Sequence, residues 1–341
     1  MKKEYIIPIF VPHLGCPNDC TFCNQKKISG QKKNITSKDV KKIIEDYLSN
    51  FPNIDKKVEI AFFGGSFTGI DIATQKELLQ AANEYIKQGK VAGIRISTRP
   101  DYIDQDILNL LKKYNVKTIE LGVQSANDYI LNKCKRGHTF EDVKKASKLI
   151  RKNKFNLGHQ MMVGLPESSQ KDEIETAKKL IKLRPKIIRI YPVLVIKDTK
   201  LAEDYYNSEY KPNTLEQAVE TSAILLKMFN KKNINVIRIG LQNTDEICNP
   251  DNENSQVVAG PYHPAFRQLV DSRICYDEFS KKIQKLNNKV KIVKVLVNGN
   301  LINSFVGHKK ENIKRIKELY DIDLVVQRDD SVKKYVFRRI V

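Results

Sequence analysis

Residues 5–23 read YIIPIFVPHLGCPNDCTFC, an apolar stretch followed at once by the cysteines Cys16, Cys20 and Cys23. The apolar part predicts a buried β-strand, and the cysteines follow its carboxyl end in a C-x3-C-x2-C pattern. A cubane cluster of four irons normally takes four cysteine ligands, so three thiolates leave one iron open to a ligand that is not protein. The alternative is a tetrahedral zinc site that His13 completes. Both interpretations place a metal centre at the end of a strand.

The chain carries a large excess of positive charge on an otherwise ordinary globular composition. Of its 341 residues, 60 are Lys or Arg and 40 are Asp or Glu, which gives a net charge of +20. Such an excess is typical of proteins that bind nucleic acid, although a codon bias toward lysine also produces it. No apolar run is long enough to span a bilayer and no signal-peptide pattern opens the chain, so we expect a cytoplasmic protein. There, six cysteines favour metal or redox chemistry over disulfides.

Short β-rich runs alternate with amphipathic helical patterns through most of the sequence. The predicted strands are Ile6–Pro12, Val58–Phe63, Gly93–Thr98, Thr118–Val123, Leu157–Val163, Ile187–Leu194 and Val236–Ile239. The predicted helices are Ser37–Asn50, Ala73–Gln88, Gln105–Tyr114, Phe140–Asn153, Lys171–Leu183 and Thr214–Lys231, with N-caps at Ser37, Thr139 and Thr214. This repeat predicts an α/β fold whose parallel strands are joined by right-handed crossovers, as a barrel or an open sheet.

In both architectures the ligand site lies at the carboxyl ends of the strands. Glycines and polar residues follow the ends of four predicted strands after the first, at Gly64–Ser66, Ser97–Asp101, Gln124–Ser125 and Gly164–Pro166. Together with the cysteines, these residues predict a single active site at one edge of the sheet.

From Lys289 the pattern changes to a strand at Val290–Val297, a helix at Glu311–Tyr320 and two further strands at Asp323–Gln327 and Lys334–Ile340. This tail has thirteen Lys or Arg against six Asp or Glu, so we expect a core domain over residues 1–285 and a basic α+β lobe over 286–341. The run Val306–Arg315 resembles the turn and helix of a KH-type RNA-binding module, with Lys310 in place of the second glycine of its GXXG loop. Phosphate contacts would come from Lys309, Lys310, Lys314 and Arg315.

The cysteine motif, with the aromatic Phe22 before its last cysteine, resembles the cluster motif of the radical S-adenosylmethionine (SAM) superfamily. Five further segments resemble the catalytic subunit of the Elongator complex and its short prokaryotic relatives: Ser97–Asp101, Glu120–Ser125, Arg136–Thr139, Gly164–Pro166 and Ile190–Val195. The first cysteine gap is shorter than that of the Elongator subunit, and we expect the chain to lack the acetyltransferase domain of that subunit.

The resemblance implies a partial (β/α)6-type radical SAM barrel with the basic, KH-like lobe at its C-terminus. It also implies a [4Fe–4S] cluster held by Cys16, Cys20 and Cys23, with SAM bound to the fourth iron. An electron from the cluster cleaves SAM to a 5′-deoxyadenosyl radical, and a donor such as flavodoxin or ferredoxin supplies that electron. By position, the resemblance assigns SAM binding to Phe22, Gly64, Gly65, Ser66, Ser97, Gln124, Arg136 and Gln160.

The substrate implied by the Elongator resemblance is tRNA, with a wobble uridine as the modified base. Substrate-side candidates near the last strands are Tyr191, Lys197, Tyr262 and His263, although none of them is assigned a catalytic role. Two alternatives remain: the same radical chemistry on a small molecule, and a zinc- or cluster-stabilised RNA-binding scaffold without turnover. Cys134, Cys248 and Cys275 are either buried apolar residues or part of a second metal site.

Overall fold

The computed structural model describes residues 3–11, 20–24, 35–52, 56–244, 246–285 and 290–339. Its strands, in chain order, are β1 Lys3–Val11, β2 Lys56–Gly64, β3 Gly93–Thr98, β4 Val116–Gln124, β5 Asn156–Val163, β6 Ile187–Pro192, β7 Val195–Ile196, β8 Asn235–Ile239, β9 Val257–Ala259, β10 Ile292–Val297, β11 Asp323–Arg328 and β12 Tyr335–Arg339. The α-helices are α1 Ser37–Asn50, α2 Ile72–Lys87, α3 Gln105–Lys113, α4 Asp128–Lys133, α5 Phe140–Lys152, α6 Gln170–Lys182, α7 Lys200–Tyr206, α8 Leu215–Asn230, α9 Phe266–Ile283, α10 Ile302–Val306 and α11 Glu311–Tyr320.

All seven strands predicted for the core lie in one parallel sheet, in the order β1-β2-β3-β4-β5-β6-β8. The sheet is curled into a half-barrel, and apolar residues of its strands pack against the helices outside it. The predicted α/β half-barrel is confirmed. Because parallel strands end at the same edge, the segments that follow them meet at one mouth.

One predicted N-cap is wrong. The N-cap of α1 is Thr36 and not Ser37, because the Thr36 hydroxyl accepts the N–H of Asp39 and the Asp39 carboxylate accepts the N–H of Thr36 at 2.9 Å. Two adjacent hydroxyl residues made the cap ambiguous in the sequence, and the acidic residue three positions later identifies Thr36. The predicted caps Thr139 and Thr214 are confirmed, each with its own capping box.

The C-terminal residues form a small lobe with its own sheet and core. Strand β10 lies between β11, to which it is parallel, and β12, to which it is antiparallel. Helices α10 and α11 connect β10 to β11, and the chain turns between the two helices at Gly307–Lys310. The ring of Phe305 in α10 stacks on that of Phe279 in α9 at a centroid distance of 4.4 Å.

Helix α9 belongs to both parts of the molecule. Phe266 and Val270, near its start, pack into the core of the barrel. Tyr276, Phe279 and Ile283, near its end, pack into the core of the lobe. The lobe is therefore attached to the barrel through a continuous helix and not through a loose tether. None of the described helices combines the length and apolarity that crossing a bilayer requires.

The turn at Gly307–Lys310 has an unusual backbone for its sequence. Lys309 and Lys310 both have positive φ angles, of 48° and 63°, in the left-handed region that glycine adopts without cost. Lys310, which the predicted KH resemblance aligns with the second glycine of a GXXG loop, therefore adopts a backbone conformation that glycine favours and lysine does not.

We expect Lys310→Gly to raise the free energy of unfolding by about 1 kcal/mol, because it removes one left-handed non-glycine residue. Urea denaturation of the full chain measures the change. Lys310→Ala is the matched control, since it removes the same side chain and keeps a Cβ at the strained position. Equal stabilities of the two variants would contradict the prediction.

Candidate active site

A cavity of about 510 Å³ opens where the strands of the barrel end. Its walls bring together residues from all seven strands of the barrel sheet and from the cysteine segment. Of the residues proposed from sequence, those that line it are Cys20, Phe22, Cys23, Gly64, Gly65, Ser66, Ser97, Gln124, Arg136, Gln160 and Tyr191. The convergence expected from parallel topology is therefore present in the structure.

The cysteine segment is described only in part, since His13 and Cys16 lie outside the described residues. Cys20 is buried and Cys23 is partly exposed to the cavity, with the N–H of Cys23 donated to the carbonyl oxygen of Cys20 at 3.0 Å. Thr21 anchors this turn by donating its N–H to the carbonyl oxygen of Cys134. Within the described ranges no three His, Cys, Asp or Glu side chains lie together as a metal site.

A guanidinium lies directly beside the buried thiol. Arg136 donates one N–H to the Sγ atom of Cys20 at 3.2 Å and another to the carbonyl oxygen of Gly122 at 2.8 Å. A Cβ at Gly122 would lie only 3.4 Å from this guanidinium and 3.2 Å from the amide nitrogen of Gln124, so the missing side chain makes room for both. Thiol donors next to a fixed cation suit a cluster of thiolate-bound irons, because the cation offsets the buried negative charge.

Gln124 points into the cavity because of a bulge at the end of β4. Its φ angle is +68°, and the pairing of β4 with β5 shifts register between Gly122 and Gln124. A bulge of this kind re-aims a side chain at the rim of a barrel. The amide of Gln160 on β5 donates to the amide oxygen of Gln124 at 3.5 Å, so two amides lie side by side on the cavity wall.

Ser66 ties the ends of two strands together. Its hydroxyl lies 2.7 Å from that of Thr98 and accepts the N–H of Arg99 at 3.1 Å. Gly64, two residues earlier, has a φ of +103°, and a Cβ there would lie 2.6 Å from the carbonyl oxygen of Val11. Gly64 therefore lets the ends of β1 and β2 approach each other, which brings the cysteine segment close to the Gly64–Ser66 turn.

Other parts of the strand-end motifs are explained by packing. Glu173 accepts the N–H of Gly164 at 2.6 Å, and burial raises the pKa of its carboxyl to about 7 although this hydrogen bond lowers it. His138 lies 3.3 Å from the carbonyl oxygen of Val123, and burial next to Arg136 lowers the pKa of its imidazole to about 3. The neutral His138 imidazole donates a hydrogen bond to the Val123 carbonyl oxygen and so holds in place the segment that carries Arg136.

The sequence reasoning missed a row of buried charges across the inner face of the sheet. Arg95 on β3 donates to Glu59 on β2 at 2.6 Å and to Glu120 on β4 at 3.0 Å. Glu120 also accepts a hydrogen bond from a second arginine, Arg189 on β6. The Arg189 guanidinium lies 4.9 Å from the ring centroid of Phe63. Single charges in apolar strands were visible in the sequence, but pairing them requires the register between strands. Glu120 and Arg189 line the cavity.

The wall of the cavity formed by β8 and the segment after it is apolar apart from a few polar groups. Leu194, Ile196 and Ile247 form a small apolar cluster there. The polar residues on this wall are Arg238, Gln242 and Thr244, none of which was singled out from sequence.

The structure brings one of the four substrate-side candidates into the cavity. Tyr191 lines it, and its hydroxyl accepts a hydrogen bond from Arg189 at 3.4 Å. Lys197 is exposed, and Tyr262 and His263 lie outside the cavity lining. The Tyr262 hydroxyl donates to the side-chain oxygen of Asn243 at 3.2 Å, and the His263 ring lies against that of His308 at 5.3 Å.

Two of the three remaining cysteines are packed as apolar residues. Cys134 lies in a cluster with Phe22 and Leu165, and Cys275 lies in the core of the lobe. Burial raises the pKa of each thiol to about 12, so both are protonated at neutral pH and poor metal ligands.

Comparison with protein families gives two matches along the chain. A model described as the Radical SAM superfamily matches residues 10–180, and one described as a Radical_SAM C-terminal domain matches residues 185–275. Together they span the barrel, the cysteine segment and the first part of α9.

Among curated proteins, a tRNA uridine(34) acetyltransferase of Methanocaldococcus jannaschii is 34% identical over 185 residues, which cover 48% of this chain and 34% of the relative. An uncharacterized protein of the same organism is 33% identical over 220 residues, or 62% of this chain and 67% of the relative. The match thus spans about a third of the acetyltransferase.

Among solved structures, the archaeal Methanocaldococcus infernus Elp3 with an N-terminal deletion aligns with a TM-score of 0.62 at 23% identity, covering 86% of this chain and 66% of that one. At that level of identity the alignment supports the fold.

Proposed function

The chain belongs to the radical SAM superfamily, and we propose that it uses radical chemistry to modify a base of tRNA, with a wobble uridine as the first candidate. As a member of this family it uses a [4Fe–4S] cluster and SAM as cofactors. The observation that carries the proposal is the single cavity in which cysteine thiols, a guanidinium and two amides meet at the ends of parallel strands.

In this proposal Cys16, Cys20 and Cys23 hold the cluster, and Arg136 fixes the position of the Cys20 side chain through its 3.2 Å contact. When bound, the cluster supplies the electron that cleaves the sulfonium C–S bond of SAM and yields a 5′-deoxyadenosyl radical. Flavodoxin or ferredoxin would deliver that electron in the cytoplasm. Keeping water out of the cavity is the task of the apolar side chains that line it, among them Phe22, Met162 and Leu194.

The amides and hydroxyls on the wall would orient SAM. Gln124 and Gln160 lie together, so one amide group can fix the other while both face a nucleoside. Ser97 offers a hydroxyl on the next strand, and the turn at Gly64–Gly65 leaves the backbone open to a close approach by the methionyl amine. Each group is held by the strand that carries it, which favours a fixed ligand geometry.

The tRNA part of the proposal is supported by the relatives and by the charge of the lobe. The curated relative named above is a tRNA uridine(34) acetyltransferase. Lys309, Lys310 and Lys314 are exposed, and within the described part of the chain they form no ion pair. Arg315 is less available for phosphate, because its guanidinium lies 5.0 Å from the ring centroid of Tyr276 and 3.7 Å from Glu216. Three free lysines beside a turn suit the backbone of a single RNA strand.

The test is anaerobic turnover of the cluster-loaded chain with SAM and dithionite, with and without tRNA from cells that lack the gene. We expect tRNA to raise the rate of 5′-deoxyadenosine formation by about tenfold, because binding of the correct substrate organises the site. Mass spectrometry of tRNA nucleosides from cells with and without the gene identifies the modified base.

Each alternative predicts a different result. For a small-molecule substrate, SAM cleavage would be indifferent to added tRNA and the tRNA nucleosides would not change. A non-catalytic scaffold would form no 5′-deoxyadenosine even with four irons bound per chain, or would hold zinc in place of iron.

A further inference from the structure

Arg238 is a guanidinium in the cavity that the SAM-binding positions do not use. It lies on β8, one of the two edge strands of the barrel sheet, while the cysteine segment follows β1 at the other edge. Its side chain is half-buried. Nothing in the sequence motifs or in the radical chemistry accounts for a cation at this place.

The other three guanidiniums that line the cavity have partners. Arg189 is paired with Glu120, Arg99 with Asp101 at 2.8 Å, and Arg136 contacts Cys20. Over the described residues Arg238 makes no ion pair and no side-chain hydrogen bond. Its neighbour across the sheet is Arg189, which offers it no counter-charge. An unpaired guanidinium in a partly enclosed site is suited to a ligand oxyanion, to which it can donate two parallel hydrogen bonds.

The wall that carries Arg238 adjoins the basic turn of the lobe. The segment Leu241–Thr244, which directly follows β8, is held to the loop Gly260–Pro264 by two hydrogen bonds of Asn243, to the Tyr262 hydroxyl and to the carbonyl oxygen of Pro264. His263 of this loop lies edge-on against His308 in the turn Gly307–Lys310. Two short segments, Leu241–Thr244 and Gly260–Pro264, therefore link the strand that carries the guanidinium to the turn that carries the exposed lysines.

We propose that Arg238 binds a backbone phosphate of the RNA strand held by the lobe, and so fixes the strand beside the base that enters the cavity. This inference rests on the proposed function, since it assumes a nucleic-acid substrate. In this proposal the lobe binds the RNA strand, and Arg238 fixes the position of that strand relative to the cavity. Contacts to phosphate position a nucleic acid without reading its sequence, which matches the chemistry of this residue.

The experiment measures equilibrium binding of fluorescently labelled tRNA to the cluster-loaded chain between 50 and 200 mM salt. Arg238→Ala should weaken binding by about tenfold and lower the slope of log K against log salt by about 0.7, the value for one phosphate contact of a single strand. Arg238→Lys should keep the slope and recover part of the affinity. If Arg238 only stabilised the fold, the salt slope would not fall in the alanine variant and return in the lysine variant.

Lys232→Ala is the matched control, because Lys232 is an exposed cation just before β8, at the end of the strand remote from the cavity. It removes the same net charge and should leave the slope unchanged. Arg238→Gln, which removes the charge and keeps more of the side chain than alanine does, replaces the alanine variant if thermal denaturation shows that the latter is unfolded.

Three outcomes would count against the inference, and the last of them would also count against the proposed function. If wild type binds tRNA and the Arg238→Ala or Arg238→Gln variant matches it in affinity and slope, Arg238 does not bind phosphate and the proposed function stands. If the variant loses affinity for SAM and keeps its affinity for tRNA, Arg238 again does not bind phosphate and the proposed function stands. If wild type itself neither binds tRNA nor responds to it in SAM cleavage, the proposed function is wrong and the inference with it.

Discussion

Replacing Cys20 with alanine is expected to remove the cluster and lower the rate of SAM cleavage by at least about a thousandfold. The physical reason is that this thiol is buried at the cavity wall and receives an N–H of Arg136. In the proposed ligand set its loss would leave two thiolates for the cluster and a second iron without a protein ligand. Iron and sulfide analysis after anaerobic reconstitution measures loading, with about four irons per chain expected for wild type. Formation of 5′-deoxyadenosine measures turnover independently.

Cys275→Ala is the control for this variant. Cys275 is also buried, but it lies in the core of the lobe and should leave iron content and turnover unchanged. If Cys20→Ala retains four irons and wild-type turnover, the proposed ligand set is wrong. One zinc per wild-type chain and no iron would instead support the tetrahedral site with His13.

The second large effect concerns stability. We expect Glu120→Ala to lower the free energy of unfolding by about 3–5 kcal/mol, because it leaves the buried Arg189 guanidinium without a counter-charge. Both side chains of this pair are less than a tenth exposed. Burial disfavours the charged form of Arg189, but the neighbouring Glu120 carboxylate and the Tyr191 hydroxyl outweigh burial and raise the pKa of the guanidinium. Removing the carboxylate reverses that balance.

Guanidinium chloride denaturation of wild type and variant in the same cluster state measures the loss. Glu203→Ala is the matched control, since Glu203 pairs with Lys200 on the surface at 3.4 Å and should cost less than about 1 kcal/mol. An equally small loss for Glu120→Ala would mean that water entering the cavity solvates Arg189, and the buried row would then not hold the barrel together.

Much of the fold could be predicted from the sequence because the patterns of β-strands and of amphipathic helices are both strong. The strands and helices of the barrel, and the convergence of their ends, followed from alternation of β-rich runs with amphipathic helices, and the family matches confirm the resemblance to the radical SAM superfamily. Helix α9 was missed for a physical reason. It buries residues against two different cores, so its apolar positions do not form the single stripe that marks an amphipathic helix. Helices α4 and α7 are too short to show a period.

Residues that meet because their strands end at the same edge of the sheet could be predicted from the sequence. Residues that meet because of the register between neighbouring strands could not. Gln124 ends β4 and Gln160 lies near the end of the neighbouring β5, so the family resemblance and the parallel order of the strands were enough to place both in one site. The row from Glu59 to Arg189 could not be predicted, because one residue of slip between strands would separate every pair. Arg238 was hidden for the same reason, since its lack of a partner becomes visible only when its neighbours are known.

Helix α9 has a consequence for the mobility of the lobe. Its 18 residues form a rod of about 27 Å, with one end packed in the barrel and the other in the lobe. The lobe also contacts the middle of this rod, where Asn312 donates to the hydroxyl of Ser272 at 3.0 Å. Swinging the lobe away from the barrel would require the helix itself to bend or unwind, so we expect the two parts to tumble in solution as one particle.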